Sequence, residues 1–261
     1  MHHQLQLNDT TLFVETAGKG TPLLLVHGFP LDHQMWSAQF DYFSTKHQVI
    51  ALDLRGFGRS GKVTSHQLTM RQLADDCAAV LEKLQINQQV IFCGLSMGGY
   101  VAWEFFKRHR DKLDRLILCD TKAIADDVET ARGRNLMAEH VLSQGLTALA
   151  ESMLPRLLGP TASAELQQQL RDKILDNDPR SIAAAMRGLA IRDDHTPLLN
   201  KIDLSTLVIC GEQDVISTPE EMRAFAAKIP QATFAAIAGS GHMAPMENPA
   251  EFNRELATFI D

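Results

Sequence analysis

The chain has 261 residues, with 32 acidic side chains against 25 basic ones and a formal net charge of −7, so it lacks the basic balance expected of a nucleic-acid or anionic-membrane binder. No apolar run approaches the roughly 18 residues that a membrane span requires, and Met1-His2-His3-Gln4-Leu5 lacks the charged and apolar regions of a secretory signal, which makes the cytoplasm the expected setting. A chain of this length buries a large core as a single α/β unit with insertions.

In chain order, residues 4–17 alternate as a hairpin does. Pro22-Leu23-Leu24-Leu25-Val26 then reads as a strand that ends at His27-Gly28-Phe29-Pro30. A residue before proline is pushed out of the α region, so Phe29 is expected to be extended with its amide pre-aimed; the isomer of the Phe29–Pro30 bond stays open. Val49-Ile50-Ala51-Leu52 is a further buried strand, followed by Asp53-Leu54-Arg55-Gly56-Phe57-Gly58-Arg59-Ser60, where Asp53 and Arg55 are expected to hold a turn. Residues 70–84 carry Leu73, Cys77, Val80, Leu81 and Leu84 on one helical face.

The next segment is the most informative. The apolar run Val90-Ile91-Phe92-Cys93 passes through Gly94-Leu95-Ser96-Met97-Gly98 into a helical pattern carrying Tyr100, Val101, Trp103, Phe105 and Phe106. A strand that reverses sharply into a helix needs small neighbours around a strained serine, and that strand–turn–helix context is what distinguishes a nucleophile elbow from a chance pentapeptide. After the strand Leu116-Ile117-Leu118-Cys119, residues 122–200 hold no strand, only helical segments near 133–142, 146–158, 162–175 and 182–189. We expect a helical cap over the C-terminal edge of the sheet, closed by the charge run Arg192-Asp193-Asp194-His195 as a solvated hinge. The core segments are thus 1–121 and 201–261. Leu207-Val208-Ile209-Cys210 leads to Gly211-Glu212-Gln213-Asp214, and the strand 232–237 leads to Gly239-Ser240-Gly241-His242. The last two helices start near Pro219 and Pro249, prolines suiting a first helical turn.

A serine hydroxyl is a poor nucleophile near neutral pH and needs a base and a group to orient that base. His242 is the candidate base for Ser96 and Asp214 the candidate orienter, with Asp120 at a neighbouring strand end as the alternative. The backbone amides of Phe29 and Met97 are the candidate oxyanion hole. His27 is assigned a structural role on loop backbone. Cys77, Cys93, Cys119 and Cys210 occur singly and read as small core residues. The ten histidines include no metal-ligand spacing such as H-E-x-x-H, so neither metal nor other cofactor is expected.

With the motifs at 27–36, 53–60, 94–99, 211–214 and 241–242 in place, the chain resembles the α/β-hydrolase family from about Leu5 to Ile260, in particular small bacterial serine carboxylesterases and 3-oxoadipate enol-lactonase-like hydrolases. The order Ser, Asp, His is the order in that family. The resemblance implies a mostly parallel sheet with helices on both faces. Epoxide hydrolases and haloalkane dehalogenases are also similar but carry aspartate where this chain has Ser96. The expected function is cleavage of small, largely apolar carboxylic esters or lactones through an acyl-enzyme. Perhydrolysis, C–C bond hydrolysis and slow-turnover ligand reception are the alternatives. Met35, Trp36, Leu136, Met137, Met153, Leu157, Met186 and Met243 are the candidate pocket residues.

Overall fold

The computed structural model describes residues 1–261. Strands β1 (His2–Gln6), β2 (Thr11–Ala17) and β3 (Pro22–Val26) precede helix α1 (Ser37–Phe43), β4 (Gln48–Leu52), α2 (Met70–Lys83), β5 (Val90–Leu95), α3 (Met97–Arg108) and β6 (Leu113–Cys119). Four helices follow without a strand between them: α4 (Val128–Gln144), α5 (Thr147–Leu157), α6 (Ala164–Leu175) and α7 (Pro179–Ala190). The chain closes with β7 (Thr206–Gly211), α8 (Pro219–Ala226), β8 (Ala232–Ile237), the short α9 (Ala244–Glu247) and α10 (Pro249–Ile260).

The eight strands form one sheet in the order β1-β2-β4-β3-β5-β6-β7-β8. The β1–β2 and β2–β4 pairs are antiparallel and all the others parallel. Burial follows position: every residue of β3, β5 and β7 is buried, as in strands covered on both faces, whereas the edge strand β1 alternates exposed and half-buried residues. Sequence order reverses at β3, which lies between β4 and β5, and the loops leaving β3 and β5 therefore open into the crevice where open α/β sheets hold ligands. No helix is long and apolar enough to cross a membrane.

The helical segment between β6 and β7 shares its core with the sheet. Ala138, Leu149, Leu170 and Ile182 from α4, α5, α6 and α7 belong to the same cluster of 76 buried apolar residues as the central strands. The hinge differs from the sequence expectation of a solvated charge run. Arg192 and His195 are buried: His195 Nε2 meets Glu104 Oε1 at 2.9 Å, and Arg192 donates to the carbonyls of Leu189 and Ile124. Burial of these two groups is tolerated because each finds partners on the backbone or a carboxylate. Two exposed neighbours, Asp193 and Asp194, keep the expected solvation.

Candidate active site

Ser96 stands between β5 and α3 at φ 54° and ψ −110°, one of three non-glycine residues with positive φ. Such a conformation costs on the order of 1–3 kcal/mol and persists only when its surroundings enforce it. They do so closely. A Cβ on Gly94 would lie 2.3 Å from the Gly98 carbonyl oxygen, and one on Gly98 would lie 2.2 Å from that of Val26, so the two glycines let β5, α3 and β3 meet. The Ser96 amide donates to Cys119 O at 2.9 Å, and Thr121 Oγ1 donates to Ser96 O at 2.8 Å.

Asp214 and His242 come together from the ends of β7 and β8. His242 Nδ1 lies 2.8 Å from Asp214 Oδ2, and both residues are nearly inaccessible. Asp214 Oδ1 accepts from the amides of Ile216 and Ser217, and Oδ2 also accepts from Ser217 Oγ at 2.7 Å. Burial works to raise the Asp214 carboxyl, but the His242 charge and these hydrogen bonds outweigh it, and the group is held below the usual carboxylate range. The His242 loop is itself fixed by Glu247, whose carboxylate accepts from the amides of Gly241, Met243 and, in the helical segment, Gly159. Ser96 and His242 wall the same cavity, although the serine hydroxyl is not hydrogen-bonded to the imidazole in this structure.

Met97 is the first residue of α3, where a helix leaves its amides without an intrahelical partner. Phe29 lines the same cavity as Met97, and its amide donates to no protein group. The Phe29–Pro30 bond is cis. His27 takes the structural place expected of it: it accepts from the Leu54 amide at Nε2 and contacts Gly28 O through Nδ1, and burial holds it neutral. Asp53 binds His33 Nδ1 and the amides of His33 and Arg59, while Arg55 pairs with Asp9 and Asp76, so both hold the turn between β4 and α2. All four cysteines are buried and unbridged.

The cavity measures about 320 Å³. Of the pocket candidates read from sequence, Met137, Met153, Leu157 and Met186 line it. The other four do not, and each has a packing reason. Leu136 is 61% exposed on the outer face of α4, one position from the inward-facing Met137. Trp36 is fully buried against Phe252 of α10. Met35 is spent behind the β3 loop, its sulfur accepting from the Gly28 amide, and Met243 is buried one residue past His242. Two wall residues that the sequence reading missed are Arg134 and Arg156. Arg134 shares the Asp126 carboxylate with Arg192, whereas Arg156 has no ion-pair partner, and no carboxylate lines the cavity. Helix periodicity gives no warning of this, because an arginine on an amphipathic helix reads as solvated surface.

Three comparisons bear on this arrangement. The family model for the alpha/beta hydrolase fold matches residues 21–249. The structure superposes on a thermophilic esterase from Thermogutta terrifontis, solved with malate bound, with a TM-score of 0.95 and 40% identity over 100% of this chain and 97% of that one. It is also similar to an enol-lactonase from Burkholderia xenovorans (TM-score 0.89, 26% identity, 99% of each chain), and in sequence to 3-oxoadipate enol-lactonase 2 of Acinetobacter baylyi (29% identity over 97% of this chain and 94% of that protein).

Proposed function

The chain belongs to the α/β-hydrolase family, and from that premise we propose that it is a carboxylesterase or lactonase-type enzyme that works through an acyl-enzyme on Ser96. The observation that carries the reading is the convergence, at one cavity, of a strained strand-end serine and a histidine whose far nitrogen is held by a buried, ionised aspartate. In this mechanism Ser96 Oγ attacks the ester carbonyl as His242 Nε2 takes its proton. Asp214 holds the Nδ1–H tautomer and stabilises the imidazolium. The amides of Phe29 and Met97 receive the oxyanion, His242 protonates the departing alcohol, and it then activates water for deacylation.

The residues 122–200 act as a cap that supplies the substrate walls. A cavity of about 320 Å³ lies at the small end for ligand sites, which suits a short ester or lactone. Its mixed wall, methionines and leucines with two guanidiniums, extends the expectation of a largely apolar substrate to one that carries a carboxylate away from the scissile bond. A fluorophosphonate probe tests the nucleophile. It should label Ser96 and no other serine, and Ser96→Ala should lose both labelling and several orders of magnitude in turnover. Full turnover in that variant would exclude the serine mechanism.

A further inference from the structure

Asp120 stands at the end of β6, beside β7, and is fully buried at a positive φ of 45°. Its amide donates to Ile209 O, and its Oδ1 accepts from the Gly211 amide at 2.8 Å, so both of these bonds tie β6 to β7. Its other oxygen, Oδ2, is buried and meets no donor. Asp120 clusters with a second carboxylate, itself an acceptor: one polar atom each of Asp120, Asp214 and His242 lies within 4.8 Å of the others. The Glu247 carboxylate acts on Asp120 as well, and Asp120 acts in turn on the thiols of Cys119 and Cys210, none of which supplies a positive charge; Arg223 acts on Cys210. His242 supplies a positive charge only when protonated.

Two carboxylates that share a dry pocket do not both ionise. Which one keeps the charge is decided by its donors. Asp214 has four donors: the Ile216 and Ser217 amides, the Ser217 hydroxyl and the imidazole, whereas Asp120 has the single Gly211 amide. The proton therefore belongs on Asp120. Placed on Oδ2, it turns an unpartnered buried acceptor into a donor, and the acceptor it meets is the group that holds His242. We propose that Asp120 is a neutral carboxylic acid that donates its proton in a hydrogen bond to the Asp214 carboxylate, and is thereby a positioning residue for the imidazole. Burial and the adjacent Asp214 charge push the Asp120 carboxyl well above the usual carboxylate range, in agreement. This rests on Asp214 being the orienter of His242.

The sign of a pH shift tests it. With p-nitrophenyl acetate, the acid limb of kcat/KM reports protonation of His242. Asp120→Ala removes the donor and leaves the Asp214 charge less compensated, so the imidazolium is favoured; the limb should move to higher pH and kcat should fall about tenfold or more, the worth of a hydrogen bond to a charged group. Asp120→Asn returns a neutral donor of the same shape, so it should recover most of that loss and bring the limb back to its native position. An ionised Asp120 makes the opposite forecast, because Asn then deletes a negative charge beside the imidazole and the limb moves to lower pH. That result would overturn the proposal, as would an Ala variant with native kcat and limb. Should the Ala variant not fold, the Asn limb alone decides between the two. Thermal melts give a second readout. An aspartate that is neutral only in the fold loses stability as pH rises from its unfolded value towards its raised folded value, and asparagine has no proton to lose, so Asp120→Asn should melt at or above the native temperature at pH 7. Native turnover in Asp214→Asn would instead remove the orienter on which the proposal stands.

Discussion

At the residue scale the roles proposed for the two aspartates near His242 make separate forecasts. Asp214→Asn should cost about four orders of magnitude in kcat with the fold intact, because the amide can stabilise neither the needed tautomer nor the imidazolium. Circular dichroism beside steady-state kinetics checks both halves. The acid side of the pH–rate profile should show one limb only. His242 must be neutral to accept the Ser96 proton, while Asp214 is held below the usual carboxylate range and stays ionised through that limb. A second limb of the same sense would mean that Asp214 titrates with its partner. The catalytic candidates were legible in sequence because a strand-end serine between glycines, a strand-end aspartate and a histidine in a glycine loop each follow an apolar run. Glu247 and Ser217 were not. Each acts through a loop amide or a shared carboxylate oxygen, and no spacing rule announces a bond that only tertiary folding closes.

At the element scale, the strand-to-helix turn at Ser96 depends on close backbone approach and the cavity wall on which faces of α4–α7 turn inward. Gly98→Ala would set a methyl 2.2 Å from the Val26 carbonyl oxygen, a backbone atom that cannot swing away, so β3 and α3 must separate. We expect a loss of about 1–3 kcal/mol, read as a lowered melting temperature, with weaker fluorophosphonate labelling as the Ser96 geometry relaxes. The strands and helices were largely readable from two-residue and 3.6-residue periodicity, and prolines marked the starts of α8 and α10. The inward face of α4 was not, because its hydrophobic pattern is weak: Ala138 and Val141 are its only buried residues, and Leu136 faces water while Met137 faces the cavity. We expect chain-length selectivity to belong to these faces. Met153→Ala and Met186→Ala should move the preferred acyl length of p-nitrophenyl esters upward by one or two carbons, in graded steps, since one methylene in an apolar pocket is worth only about 1–3 kcal/mol. An unchanged profile in both variants would take selectivity away from these helices.

For the whole molecule, charge acts at two ranges with opposite sign. The net charge of −7 repels an anionic substrate at a distance, whereas the cavity wall offers Arg134 and Arg156 and no carboxylate. Arg134 is partly offset by Asp126, but that carboxylate also serves Arg192, so two guanidiniums share one acid while Arg156 has none. Salt separates the two ranges. At 0.15 M the Debye length is about 8 Å, so the distributed surface charge is screened while a contact inside the cavity is screened much less. For a p-nitrophenyl hemiester of a short dicarboxylic acid, kcat/KM should therefore rise as ionic strength goes from about 0.01 M to about 0.15 M, as the long-range repulsion is lost before the local attraction. A neutral ester of equal length should stay flat over the same range. Arg156→Gln should lower kcat/KM for the hemiester severalfold more than for the neutral ester, with Ser96 labelling retained, because the lost charge belongs to the cavity wall and not to the hydrogen-bonded Asp214–His242 pair. If the variant treats the two esters as the native enzyme does, the guanidinium makes no contact with substrate, and the wall selects by shape alone.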